Sequence, residues 1–169
     1  ATHGEPSVIN AHPHIVNDRI AVVHNGIIEN HAALRERLKA EGRECVSDTD
    51  TEVIAHLVER AIASEGALLP AVQTVLPQLQ GAYALAIVDR EAPDTVIVAR
   101  QGSPLVLGLG IGENFAGSDT LALRSVTDTF VYLEDGDVAE MTADRYQIFN
   151  SAGEVIKRIP TRLALQAEE

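Results

Sequence analysis

Val22-Val23-His24-Asn25-Gly26-Ile27-Ile28-Glu29-Asn30 is the stretch on which the reading of this 169-residue chain turns. The apolar run Ile20-Ala21-Val22-Val23 enters it as a short strand, and Asn30 stands where a helix over 31–41 would take its N-cap. Between them, Asn25 brings a side-chain amide donor. Gly26 lets the backbone turn with its N–H exposed. Two donors side by side at the end of a rigid strand are what an oxyanion hole needs. Asn-Gly is also a common turn pair. A hairpin turn should lead into a second strand, whereas this one leads into a helix cap. The residues alone leave turn and oxyanion site both open.

Downstream, Leu34 and Leu38 share a helix face, Arg35, Arg37 and Lys39 lie in solvent, and Gly42 closes the helix as a C′ residue. Glu44-Cys45-Val46 reads as a short strand. Ser47-Asp48-Thr49-Asp50 is dense in helix caps; Asp50 or Thr49 could cap the next helix, and for Asp50 local pattern favours the cap over a substrate role. A carboxylate there stays ionised on the helix dipole and suits a substrate ammonium. The next helix carries the stripe Val53, Ile54, Leu57, Val58, Ala61, Ile62. A third carries Leu68, Leu69, Val72, Val75, Leu76 and Leu79, with Pro70 in its first turn and Pro77 ending its regular part.

From residue 81 the period changes. Ala82–Val88 is nearly all apolar and reads as a strand buried on both faces. Further strands are predicted over 95–100, 105–109, 114–117, 129–133, 137–141, 146–150 and 155–159, with one helical turn within 120–126. Helices first, then a run of antiparallel strands, predicts an α+β fold and not a doubly wound α/β one. One domain is expected over 1–169, with 160–169 as the start of a linker.

Upstream, residues 1–19 are rich in His, Pro, Asn and Gly, which is loop chemistry. His3, His12 and His14 invite a metal reading, but their spacing matches no zinc pattern and no ligand set is completed. A loop whose imidazoles hydrogen-bond backbone and substrate is the reading, with no metal and no cofactor. Cys45 is the sole cysteine, so there is no internal disulfide framework and a reducing, cytoplasmic setting is expected. Nothing nearby would obviously lower its pKa, so it reads as a small buried apolar side chain and not a nucleophile. A formal charge of −12 argues against nucleic acid or an anionic membrane as partner. No apolar run is long enough to span a membrane, and no signal peptide is visible.

Three stretches together resemble one family. They are Ala1-Thr2-His3-Gly4-Glu5-Pro6-Ser7 continuing to Asn10-Ala11-His12-Pro13-His14, the opening stretch Val22–Asn30, and Ser47–Leu57. They are similar to the glutaminase domains, class II glutamine amidotransferases, of the glutamine–fructose-6-phosphate aminotransferases. Gln78–Tyr83, Ala99–Leu105, Gly112–Phe115 and Ser118-Asp119 agree. The resemblance implies an N-terminal-nucleophile hydrolase-like, four-layer αββα sandwich of antiparallel sheets, lacking its first strands. It implies glutamine as substrate, with an N-terminal cysteine thiolate attacking the side-chain amide and its α-amino group as base.

The same likeness assigns Asn25 and Gly26 to the oxyanion hole, Asp50 to the glutamine ammonium, and Thr2 and His3 to its carboxylate end. Ammonia would pass to a sugar-phosphate isomerase domain acting on fructose 6-phosphate, in a full-length protein expected to be a homo-oligomer. Roughly seventy family residues, the nucleophile among them, are implied ahead of Ala1, too many for loop alone. The chain by itself is therefore expected not to hydrolyse glutamine. Two other readings stay open: another class II amidotransferase, as in purine or asparagine synthesis, and a non-catalytic glutamine-binding module.

Overall fold

A computed structural model describes residues 4–164. Its centre is a long antiparallel pair. Strand β2 (Ile20–Ile28) runs alongside β3 (Gly81–Asp89) in unbroken register from Ile20 opposite Asp89 to Ile28 opposite Gly81. Asn25 and Gly26 thus lie inside a strand and not in a turn. The local Asn-Gly signal is overridden by nine consecutive cross-strand partners.

Sheet order is β1-β2-β3-β4-β8-β9-β10 in a seven-stranded sheet and β11-β7-β5-β6 in a four-stranded one, with every strand pair antiparallel. The remaining strands are β1 (His14–Val16), β4 (Val96–Gln101), β5 (Val106–Leu109), β6 (Asn114–Gly117), β7 (Thr129–Tyr132), β8 (Val138–Met141), β9 (Tyr146–Phe149), β10 (Val155–Ile156) and β11 (Thr161–Arg162). β1 falls in the stretch read as loop. β11 pairs with β7 inside the stretch read as linker.

Three helices cover one face of the larger sheet: α1 (His31–Ala40), α2 (Asp50–Glu65) and α3 (Leu68–Val75). The predicted stripe of α2 is the buried one, from Val53 to Ile62. It meets Leu34, Leu38, Val72 and Val75 from the other helices, and Ile20, Val22, Leu85, Ile87 and Ile97 from the sheet, in the main core. Pro77 sits in a 3-10 turn, Leu76–Gln78, that ends α3. Gly42, at φ +84°, closes α1: its N–H reaches Lys39 O at 3.0 Å and that of Arg43 reaches Leu38 O at 2.8 Å.

The other face of the larger sheet packs on the smaller one through Ala84, Val98, Ala139, Met141 and Ile148 against Leu105, Leu107, Val131 and Leu133. No residue of β1 or β2 joins this second core. There Ile15, Val23 and Ile27 are exposed. Among the described residues the outer face of the smaller sheet carries one 3-10 turn, Thr120–Leu123, whose Leu123 packs on Val106 and Phe130. Fold class is therefore α+β with two stacked antiparallel sheets.

Two local expectations fail for long-range reasons. Glu44–Val46 is not a strand, because the N–H groups of Val46 and Ser47 donate to the Glu52 carboxylate at 2.8 and 2.6 Å. Asn30 stands at the N-cap of α1, but its side chain makes no cap. It donates to Gln78 O at 2.8 Å and accepts from Gln80 N–H at 2.9 Å, stapling the entry to β3.

Candidate functional site

β2 presents different chemistry on each of its faces. The helix side carries His24, which is 6% exposed, between the fully buried Val22 and Ile28. The opposite side carries Asn25, between Val23 and Ile27. Asn25 lines a cavity of about 150 Å³ between the two sheets, with His12, Ala84, Leu105, Gly117 and Ser118.

Gly26 is required by geometry. It holds φ +112°, and a Cβ there would lie 2.2 Å from Ala82 O. The direction of its N–H follows from its neighbours. Glu29 N–H reaches Gln80 O at 2.7 Å across the β3 edge, and Ile28 N–H reaches Asp50 Oδ2 at 2.8 Å on the other side. Successive amides alternate across an antiparallel ladder. The Gly26 N–H therefore points as Ile28's does, away from β3 and toward the β1 side. The strand thus holds an amide side chain and an outward backbone N–H on adjacent residues.

Asp50 is the first residue of α2 and not its cap; Thr49 takes the N-cap position. Its carboxylate is 1% exposed, accepts from Ile28 N–H, and lies 3.8 Å from His24 Nδ1. Three predicted residues, Asn25, Gly26 and Asp50, are therefore gathered around one four-residue length of β2, with Asp50 on its helix side. Thr2 and His3 lie outside the described residues.

A polar frame, none of which local pattern could disclose, surrounds Asp50. Thr51 Oγ1 hydrogen-bonds both His12 Nε2 and His24 Nδ1 at 3.1 Å. Thr49 Oγ1 meets His14 Nε2 at 2.9 Å. The imidazoles of His12 and His14 thus bond threonine hydroxyls, and their rings meet edge to face at 5.4 Å. Burial holds both below the ordinary imidazole range, so both are neutral at pH 7. Arg35, expected in solvent, donates to Ser47 O at 2.8 Å and Thr49 O at 2.9 Å. Asn10 joins the N-terminal loop to this segment, accepting from Asp48 N–H at 3.0 Å and donating to Glu5 O at 2.9 Å.

Cys45 is half-buried, and burial, then the nearby Glu52 carboxylate, pushes its thiol up to about 11. That is the reverse of what a thiolate nucleophile needs. A larger cavity of about 830 Å³ lies toward α3 and the β9–β10 turn, lined by Gln73, Leu79, Tyr83, Asn150 and Ser151 among others. None of Asn25, Gly26 and Asp50 lines it.

The sequence matches the family of glutamine amidotransferase domains over residues 7–124. It is 58% identical over 158 residues to a glutamine–fructose-6-phosphate aminotransferase (isomerizing) of Escherichia coli K12, covering 94% of this chain and 26% of that protein. Identity and coverage are the same with the Vibrio cholerae protein of that name. The chain thus spans about a quarter of the length of these relatives. Among solved structures, it is similar to the glutamine phosphoribosylpyrophosphate amidotransferase of B. subtilis, with TM-score 0.66 and 26% identity, covering 95% of this chain and 33% of that one. A structure described as the allosteric regulatory enzyme of purine biosynthesis aligns at TM-score 0.60 and 28% identity, covering 90% of this chain and 30% of the other. The two stacked antiparallel sheets and the family match agree: the chain belongs to the glutamine amidotransferase domain family.

Proposed function

We propose that this chain is the glutamine-hydrolysing part of a glutamine–fructose-6-phosphate aminotransferase. In this reading it supplies ammonia for conversion of fructose 6-phosphate to glucosamine 6-phosphate. The observation that carries the reading is the 58% identity over nearly the whole chain; Asn25, Gly26 and Asp50 stand in the stretches that carry the resemblance. The purine-pathway likeness, at 26–28% identity, supports the shared glutaminase fold and is weaker as a guide to the acceptor.

In this scheme a thiolate attacks the side-chain amide of glutamine. Negative charge gathers on the former carbonyl oxygen, where the Asn25 side-chain N–H and the Gly26 backbone N–H stabilise it. Asp50 receives the substrate ammonium, and Thr2 and His3 line the carboxylate end. The polar frame of Thr49, Thr51, His12, His14 and His24 keeps Asp50 in place. The resemblance assigns the nucleophile's role to an N-terminal cysteine; Cys45, half-buried with its thiol pushed up to about 11, does not suit that role. In this reading the chain alone is expected not to hydrolyse glutamine. Its partners are an isomerase domain that takes up the ammonia and further copies of the full-length protein. No cofactor takes part. A cytoplasmic location fits the single cysteine; among the described residues no helix is long and apolar enough to cross a membrane.

The test is Asp50→Asn in the full-length enzyme. The amide oxygen still accepts from Ile28 N–H, while the charge is gone. KM for glutamine should rise about 10²-fold with the fold intact, since a buried charge partner is lost. An unchanged KM would remove Asp50 from substrate recognition.

A further inference from the structure

One cluster of side chains lies beside the candidate site and takes no part in it. Cys45, Glu52 and His56 bring one sulfur, one carboxylate oxygen and one imidazole nitrogen within 4.8 Å of one another. Glu52 and His56 are four residues apart on α2 and so share a face. Cys45 comes from the segment ahead of the helix, which folds back over its first turns. The Glu52 side chain is 5% exposed and that of His56 13%. These are not loose surface carboxylates.

Each donor is held from behind. The Glu52 carboxylate is fixed by the N–H groups of Val46 and Ser47, an outer shell that orients an oxygen ligand. His56 Nε2 lies 3.1 Å from Glu52 Oε2, while the buried Nδ1 of the same ring has no hydrogen-bond partner. The ring is thus committed at one atom only, and to the same carboxylate. Cys45 packs against the main core with its sulfur on this cluster.

We propose that Cys45, Glu52 and His56 form a binding site for a divalent transition-metal ion of the zinc type. One thiolate, one imidazole and one carboxylate are a donor set for a borderline cation in tetrahedral geometry, and hard calcium or magnesium is disfavoured by the sulfur. Three protein ligands leave the fourth position to water. On binding, Cys45 yields its thiol proton to solvent, and His56 exchanges its hydrogen bond to Glu52 for the metal bond. The ion would cross-link the 45–47 segment to α2, two residues from Asp50. Its role is a clamp that holds the segment ahead of α2 to the helix that carries Asp50, and it needs no part in the chemistry at Asn25.

The experiment uses the full-length enzyme, stripped of metal by a chelator and titrated with cobalt(II). The expected result is one equivalent bound with a thiolate-to-cobalt charge-transfer band and the visible bands of tetrahedral cobalt. Cys45→Ser should remove that band, and His56→Gln should weaken binding by about 100-fold or more, as losing a direct ligand exceeds the effect of losing an outer-shell partner. Zinc should raise the melting temperature of the parent and not of either variant. Melting of the metal-free variants within a few degrees of the metal-free parent guards against misfolding as the cause. Absence of the band, a band that persists in Cys45→Ser, or cobalt binding that is lost instead in a His12→Ala, His14→Ala double variant would each overturn the proposal.

Discussion

The two faces of β2 differ in almost everything except the backbone they share. On the helix side Ile20, Val22 and Ile28 are fully buried, and the one polar member, His24, is bonded to Thr51 and close to Asp50. On the other side Val23 and Ile27 are 41% and 47% exposed, and Asn25 looks into a small cavity between the sheets. A strand with one face in a saturated core and the other open combines rigidity with access. The buried face sets where the Asn25 amide and the Gly26 N–H point. The open face is where a substrate can meet them. Precision of this kind is easier to hold on a paired strand than on a loop.

The largest effect is expected at the residue that belongs to neither face. Gly26→Ala places a methyl 2.2 Å from Ala82 O at φ +112°. Loss of about 3 kcal/mol or more is expected, with the β2–β3 pairing itself displaced. Urea unfolding of the full-length protein measures it, and a cost below about 1 kcal/mol would mean that the strand tolerates a side chain there. Next comes the buried face. Thr51→Val keeps the shape and removes the hydroxyl that joins His12 to His24. A loss of about 1–3 kcal/mol is expected, with KM for glutamine raised because Asp50 loses its frame. Unchanged stability and KM would show that the frame is dispensable.

Acid gives the smallest and most graded effect. His12 and His14 have folded pKa values below the ordinary 6.5, so the unfolded chain takes up their protons first. Stability is full above the unfolded value, declines as pH falls through about 6.5, and levels off once pH is below the folded values. Melting temperatures between pH 8 and 5 check this, and the slope should shrink in His12→Gln. A slope of the opposite sign would contradict the burial assigned to these rings.

The same two faces explain what could be read in advance. Helix periods were legible: the α2 stripe from Val53 to Ile62 is the buried face, and Pro77 ends α3 in a 3-10 turn. Strands β3 to β9 fall within a residue or so of their expected ends, β10 stops at Ile156, and β11 lies in the stretch read as linker. What stayed hidden was set by partners far along the chain. Asn25-Gly26 carries a turn signature, and only the register with residues 83 and 84 makes it strand. Glu44–Val46 has strand-like residues whose N–H groups go instead to Glu52. Asp50 looks like a cap until Ile28, 22 positions earlier, supplies its partner. Arg35 and Asn30 likewise take up work that their own helix does not predict. In the candidate site the residue types at Asn25, Gly26 and Asp50 were legible. The threonine and histidine frame was not, because hydroxyl–imidazole bonds leave no periodic trace.

Whether the open face of β2 is the catalytic one is tested most directly by glutamine hydrolysis in the full-length enzyme carrying Asn25→Ala. Loss of one oxyanion donor predicts kcat lower by about 10²–10³ with KM for glutamine nearly unchanged. A kcat within a few-fold of the parent, or a loss carried entirely by KM, would contradict it.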